Sequence, residues 1–140
     1  MTNIIVGPKG HNKTSLLIDR VNESVEKSKG SVICIEKVSV SQFLVSSKVR
    51  LIDIDEYDIS SYHTFYAFIC GLIASNYDIT DIFVDSTLRI GGRNMNELND
   101  FIMKINALGA KNNINFTFTI SSDVNNLLPE SLQICNTTIA

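Results

Sequence analysis

Long basic runs and long apolar runs are both missing from this chain of 140 residues. The most basic stretch is Lys27-Ser28-Lys29, and the net charge is −3, which argues against a surface that coats nucleic acid. The longest apolar stretch, residues 65–74, is too short to cross a bilayer. No signal peptide is expected, because a strand pattern begins almost at the first residue. We therefore expect a cytoplasmic protein without a membrane span.

Cysteine and proline are also scarce. Cys34, Cys70 and Cys135 are widely spaced, odd in number and set in apolar contexts, which argues against a disulfide framework or a metal site and favours buried thiols. The two prolines leave no proline-rich linker. A hydrophobic content of 44% is sufficient for a core at this length. We expect one domain over residues 1–140.

Short apolar runs alternate with amphipathic runs along the chain. The patterns predict helices over 13–28, 60–76, 96–109 and 123–128, and strands over 3–6, 31–36, 49–55, 81–85, 115–121 and 132–138. Residues 38–46 fit either a strand or a short helix. Gly109 should close its helix, and the very apolar helix 60–76 should be largely covered by protein. This alternation predicts an α/β fold, a three-layer sandwich with a mainly parallel central sheet.

The turn after the first predicted strand has an unusual sequence, Gly7-Pro8-Lys9-Gly10-His11-Asn12-Lys13-Thr14. Gly7, Lys13 and Thr14 match the phosphate-binding consensus G-x-x-x-x-G-K-[ST]. Asn12 stands where that consensus has its second glycine. A loop of this kind turns backbone N–H groups toward phosphate at the positive end of a helix. Asparagine enters the left-handed backbone region more readily than most residues, although its side chain adds bulk near the phosphate. The alternative is a turn that caps a helix and binds nothing.

In this degenerate form the loop resembles the Walker A motif of the P-loop NTPase superfamily, in the versions that begin with Gly-Pro. The branches it resembles are the recombinase-like ATPases and the thymidine-kinase-like proteins built on the same core. The resemblance implies a P-loop NTPase-like fold that binds ATP, or another NTP, together with Mg²⁺. Gly7 to Asn12 would cradle the phosphates, Lys13 would reach the β- and γ-phosphates, and Thr14 would bind Mg²⁺.

A second motif supports the first. The run Ile82-Phe83-Val84-Asp85 resembles the Walker B pattern, which implies that Asp85 holds Mg²⁺ at the carboxyl end of a strand neighbouring that of the loop. The alternative is that Asp85 only ends its strand and caps the next turn. Ser86 occupies the position where many ATPases of the superfamily have a glutamate that polarises the attacking water, which argues against rapid hydrolysis.

Three further groups are candidates for catalysis or phosphate sensing. Asp53 and Asp55 lie on one face after the third predicted strand and could bind Mg²⁺ or act as a base, or form a solvated strand end. Arg89 and Arg93 flank two glycines, as expected of an arginine finger or a lid, or of a mobile surface loop. Ser121 ends the fifth predicted strand, where recombinase-type ATPases sense the γ-phosphate; a helix N-cap is the alternative.

Two main hypotheses follow. The first is a small Mg²⁺-dependent nucleotide-binding protein with weak or partner-dependent activity, as a nucleoside-triphosphate hydrolase or small kinase, in a homo-oligomer or with a protein partner. The second is a pseudo-NTPase that serves as a protein-interaction module, with a partner surface around residues 43–45. A third reading is a flavodoxin- or receiver-like domain with an acidic pocket at Asp53 and Asp55. Lys111 argues against it, because it precedes its strand instead of ending one.

Overall fold

Six parallel strands form the centre of the protein. The computed structural model describes residues 1–10, 12–37 and 45–140, so His11 and most of the ambiguous segment 38–46 lie outside the described residues. The strands are β1 (Thr2–Gly7), β2 (Ser31–Glu36), β3 (Arg50–Asp53), β4 (Ile79–Val84), β5 (Asn115–Ser121) and β6 (Cys135–Ile139). They form one sheet in the order β3-β2-β4-β5-β1-β6, and every described strand pair is parallel. The predicted α/β class and parallel sheet are confirmed.

Helices follow β1, β3, β4 and β5 along the chain. In the described ranges they are α1 (Lys13–Lys27), α2 (Tyr62–Ser75), α3 (Thr87–Gly91), α4 (Met95–Asn112) and α5 (Pro129–Ile134), with 3₁₀ turns at Ile54–Tyr57 and Val124–Asn126. None of these helices has both the length and the apolar character needed to span a membrane.

The four inner strands, β1, β2, β4 and β5, are largely buried on both faces. Ile5 of β1 packs with Leu17 and Val21 of α1 on one face. Its neighbours Ile4 and Val6 join the core that contains the buried residues of α2 and α4. Because successive side chains of a strand alternate between faces, α1 lies opposite α2 and α4. This packing agrees with the predicted three-layer arrangement.

The prediction that Gly109 closes its helix is wrong. The helix continues to Asn112 and is capped by Asn113, which has φ 56°. A Cβ atom on residue 109 would lie 2.8 Å from the carbonyl oxygen of Ile114 and 3.1 Å from the ring of Phe116. The glycine therefore allows α4 to approach β5 closely.

Two strands are shorter than predicted. The strand predicted over 132–138 begins only at Cys135, because α5 occupies the preceding residues with Pro129 in its first turn, a favoured place for proline. The strand predicted over 49–55 ends at Asp53, where the chain enters a 3₁₀ turn. The helix predicted over 123–128 is limited to the 3₁₀ turn at Val124–Asn126.

The expectation that α2 is largely covered by protein is met on one side of the helix, where Tyr66, Phe68, Leu72 and Ile73 also pack partly buried against the core. Tyr62, Phe65 and Ile69 are buried in the core, but the other side of the helix is not covered by the described residues. Ala67 and Gly71 are exposed there. The helix therefore packs through one face, as an amphipathic helix would, although it carries no charged residue.

Candidate functional site

The turn between β1 and α1 uses left-handed backbone conformations. Gly10 has φ 87° and Asn12 has φ 33°. The carbonyl oxygen of Asn12 accepts the Leu16 N–H at 3.1 Å, which begins the hydrogen bonding of α1, whereas its side chain makes no capping hydrogen bond. Asparagine tolerates this region better than other residues with a side chain. The backbone of the turn is thus compatible with Asn12 at the position of the consensus glycine.

Gly7 joins this turn to the two neighbouring strands. Its carbonyl oxygen accepts the Ser122 N–H at 3.0 Å, next to the end of β5. A Cβ atom at Gly7 would lie 2.6 Å from the carbonyl oxygen of Ala140. The glycine is therefore required by the close approach of the chain that follows β6.

Lys13 is buried at the start of α1, with 6% of its surface exposed. Its Nζ donates a hydrogen bond of 2.7 Å to the carbonyl oxygen of Pro8. Burial lowers the pKa of Lys13, and the nearby Asp85 carboxylate partly opposes that shift. The ammonium group is therefore held against the turn.

Asp85 receives hydrogen bonds from two other elements. Thr14 Oγ1 in α1 donates to Oδ2 at 3.0 Å, and Thr119 Oγ1 in β5 donates to Oδ1 at 2.6 Å. Thr119 Oγ1 in turn accepts the Ser86 N–H at 2.7 Å. Both oxygens of Asp85 therefore accept hydrogen bonds from threonine hydroxyl groups.

Asp85 was expected to end a strand that neighbours the strand before the turn. This expectation is wrong, because β5 lies between β1 and β4. Thr119, on this intervening strand, bridges part of the gap through its bond to Asp85. The carboxyl ends of β1, β5 and β4 nevertheless meet at one edge of the sheet, since all three run in the same direction.

A cavity of about 450 Å³ opens at this edge. It is lined by the turn, the start of α1, the β4–α3 junction and the end of β5, through Lys9, Gly10, Asn12, Lys13, Thr14, Asp85, Ser86, Leu88, Arg89, Arg93, Thr119 and Ser121. Among these lining residues, four are basic and one is acidic, in a chain whose net charge is −3. A concave basic surface on an acidic protein favours an anionic ligand.

The two arginines do not lie in a freely hinged loop. Arg89 lies within α3, and Arg93 follows Gly92, which has φ 104°. Nη2 of Arg93 donates to the carbonyl oxygen of Ser121 at 3.1 Å. The hydroxyl group of Tyr62 donates to the carbonyl oxygen of Gly92 at 2.7 Å. The segment is therefore fastened to β5 and α2.

Asp53 and Asp55 do not line the cavity. Asp53 ends β3 and Asp55 follows it, at the edge of the sheet, and β2, β4 and β5 separate that strand from β1. Asp53 Oδ1 accepts the Asp55 N–H at 3.1 Å, and Asp55 forms an ion pair with Lys37 at 3.2 Å. Asp53 and Asp55 were expected to lie on one face because side chains alternate along a strand. That alternation ends at Asp53, because Asp55 lies in a 3₁₀ turn.

Thr119 is a polar site residue that sequence reasoning missed. It lies in the strand Asn115–Ser121, where Thr117 and Thr119 alternate with Phe and Ile residues. The sequence feature that could have identified Thr119 is this alternation in a strand that is buried on both faces. A buried hydroxyl group requires a hydrogen-bond partner.

No protein-family model matches this chain, and no curated protein matches it either. The residues of the cavity and their geometry are therefore the basis for assigning a function.

Proposed function

We propose that the protein binds a nucleoside triphosphate, with ATP as the first candidate, together with Mg²⁺ in the cavity at the carboxyl edge of the sheet. One observation carries this proposal: the 3.0 Å hydrogen bond between Thr14 and Asp85, which are 71 positions apart. It brings the second residue of α1 against the acid that follows β4, beside a turn that resembles the phosphate-binding consensus in a degenerate form. A helix-capping turn has no need of this contact.

The phosphates would bind at the turn and at the start of α1. This helix has 15 residues, and its first N–H groups and positive dipole end favour an anion. Lys9 and Lys13 add positive charge from the turn and α1, and Arg89 and Arg93 add it from α3 and the segment after it. A triphosphate carries several negative charges and complements this lining.

Thr14 and Asp85 fit the ligand preference of Mg²⁺. The Thr14 hydroxyl gives its proton to Asp85, so the lone pairs of Thr14 Oγ1 remain available to a cation. Mg²⁺ usually takes most of its ligands from water and substrate phosphates. Thr14 and Asp85 would therefore be the two residues of the site that hold Mg²⁺. Bound Mg²⁺ would neutralise phosphate charge and orient the terminal phosphate.

Lys13 can change its hydrogen bonding without leaving the site. It now donates to the carbonyl oxygen of Pro8, and an ammonium group has three donors. A phosphate oxygen can therefore replace this carbonyl or share the ammonium group with it. The negative charge of the phosphate would also counter the effect of burial on the Lys13 pKa.

Turnover should be weak, or should depend on a partner. Among the described residues that line the cavity, the carboxylate of Asp85 is the one acid, and both of its oxygens already accept hydrogen bonds. The following residue is Ser86, whose hydroxyl group is a poor base at neutral pH. A general base must be positioned and unprotonated to activate water.

The hydrogen bond from Lys13 to the carbonyl oxygen of Pro8 favours the second hypothesis. In that hypothesis the protein is an interaction module without nucleotide turnover. It predicts that Lys13 can be replaced without functional loss. Its suggested partner surface at residues 43–45 falls mostly outside the described residues. Val45 is described, and it packs against the core on the α1 side.

Thermal unfolding with MgATP and MgGTP tests the proposal. A ligand at about 100 times its Kd stabilises the folded state by about 2.7 kcal/mol, which corresponds to about 5–10 °C for a chain of this size. We expect this shift in wild type, its loss without Mg²⁺, and its loss in Lys13→Ala.

Lys27→Ala is the matched control, because Lys27 lies on the same helix but is exposed and paired with Glu23. Comparing the shift caused by the ligand removes any effect of a substitution on the stability of the free protein. An absence of any shift at millimolar nucleotide, or an equal shift in Lys13→Ala, would favour the interaction module.

A further inference from the structure

The sheet has two edge strands, β3 and β6, and they differ in charge. β3 begins with Arg50 and ends with Asp53, and charged residues on an edge strand discourage its pairing with another strand. β6 contains neither a charged residue nor a proline, and it pairs with β1 in one continuous register. β6 therefore lacks the features that normally protect an edge strand.

The backbone groups on the free edge of β6 can be identified from the pairing with β1. The Ala140 N–H donates to the carbonyl oxygen of Val6 at 2.9 Å. Because the backbone groups of successive residues in a strand point to opposite sides, the even-numbered residues of β6 face β1, whereas Thr137 and Ile139 face away from it. Within the described part of the chain, nothing accepts a hydrogen bond from these two outward N–H groups. Such groups match the backbone of another extended strand.

Two exposed apolar side chains flank this edge, one on each face of the sheet. Ile139 is 69% exposed and is the register partner of Val6, so it lies on the face that α2 and α4 cover. Leu16 is 37% exposed on α1, one helical turn before Arg20, which donates to Thr138 Oγ1 at 2.7 Å. Leu16 therefore lies on the side of α1 that faces β6. A partner at this edge would lie beside both apolar side chains.

The chemistry of this edge suits a second copy of the same strand. In an antiparallel pairing centred on Thr137, this residue lies opposite itself, and its outward N–H and C=O groups exchange hydrogen bonds with those of its copy. Ile139 then lies opposite Cys135 of the second copy, on the same face of the sheet. A Thr–Thr pair across two strands is favourable. No like charges meet in the joined strands, because residues 131–140 include no charged residue.

We propose that the free edge of β6 is a self-association surface, at which two copies of this protein pair antiparallel and form one continuous sheet across a two-fold axis. This pairing occupies the β6 edge of both copies, so association stops at the dimer. The outer strands of the joined sheet are then two copies of β3, whose charged residues discourage further growth. The pairing uses the backbone of β6 and does not require nucleotide binding.

Sedimentation equilibrium of wild type, Thr137→Val, Thr137→Pro and Thr137→Lys tests the pairing. Wild type should have twice the mass of one chain at about 100 μM, where a dimer with a Kd of about 10 μM or tighter is mostly formed. Thr137→Pro should be monomeric, because it removes an outward N–H group and leaves the pairing with β1 unchanged. Thr137→Lys should also be monomeric, because two ammonium groups would meet at the two-fold axis.

Thr137→Val is the matched control, because it keeps the outward N–H group and should remain a dimer. Far-UV circular dichroism should show the same secondary structure in all four proteins, which separates loss of association from loss of folding. The exposed side chain of Thr137 leaves room for lysine, so Thr137→Lys decides the question if Thr137→Pro does not fold. A monomeric wild type, or a dimer that persists in either folded variant, overturns the proposal. Dissociation of Thr137→Val, or association beyond the dimer, also overturns it.

Discussion

At the scale of single residues, the orientation of Asp85 depends on two threonine hydroxyl groups from different elements. A hydroxyl group has one proton. Because Thr119 Oγ1 accepts the Ser86 N–H, it gives its own proton to Asp85 Oδ1. Oδ2 is then left to face Thr14. Thr119 therefore positions the carboxylate from inside the sheet, where its side chain is almost fully buried.

Thr119→Val should destabilise the protein by about 1–3 kcal/mol, because it leaves one carboxylate oxygen and one backbone N–H without their partner. It should also raise the Mg²⁺ concentration needed for nucleotide binding. Urea unfolding and Mg²⁺ titration measure the two effects. Thr117→Val is the control on the same strand, where the hydroxyl accepts a long, 3.5 Å contact from Asn3 Nδ2 and no other hydrogen bond from the described residues. Equal effects of the two variants would contradict the positioning role.

At the scale of elements, α2 and α4 differ in how closely they approach their neighbours. A Cβ atom at Gly109 of α4 would collide with the backbone of Ile114 and meet the ring of Phe116, whereas one at Gly71 of α2 would meet nothing within 4 Å. Glycine is unfavourable in both helices on intrinsic grounds. Only in α4 does packing against the sheet require it.

Gly109→Ala should therefore destabilise the protein by about 1 kcal/mol net, because overpacking of about 1–3 kcal/mol outweighs a gain in helix propensity of about 1 kcal/mol. Gly71→Ala, its counterpart on the open face of α2, should stabilise the protein by about 0.5–1 kcal/mol. Chemical denaturation of both variants measures this difference. A stabilised Gly109→Ala variant would show that α4 can move away from β5 at little cost.

At the scale of the whole molecule, the first strand connects the two cores and the two ends of the chain. Ile5 belongs to the core under α1, and its neighbours Ile4 and Val6 belong to the core under α2 and α4. β1 pairs with both β5 and β6. Both cores pack against the same sheet, so unfolding of the sheet would expose both of them.

We expect a single cooperative unfolding transition, which would support the prediction of one domain over residues 1–140. Calorimetry should give an unfolding enthalpy of about 100 kcal/mol near 60 °C for a chain of 140 residues. This value should equal the van't Hoff enthalpy, as two-state unfolding requires. Two separable transitions, or a calorimetric enthalpy well above the van't Hoff value, would contradict it.

The sequence predicted the bounds of an element most accurately where the periodicity of its apolar residues matches the burial of their side chains. The strand Asn115–Ser121 was predicted with its observed bounds, because alternating aromatic and β-branched residues favour extended backbone. The helix from Lys13 to Lys27 was predicted to within one residue. α3 was missed, since five residues containing Thr87 and Gly91 give little helical periodicity.

The sequence by itself determined the types of the longer elements, the parallel α/β class and the match of Gly7, Lys13 and Thr14 to a phosphate-binding consensus, because these depend on local periodicity and short-range backbone chemistry. Tertiary structure decided which distant residues meet. Sheet order places β5 between β1 and β4 and leaves Asp53 and Asp55 at a remote edge. It also brings Thr119 to Asp85 and Arg89 to the cavity wall. Strand order is set by packing between distant segments, which local propensities do not encode.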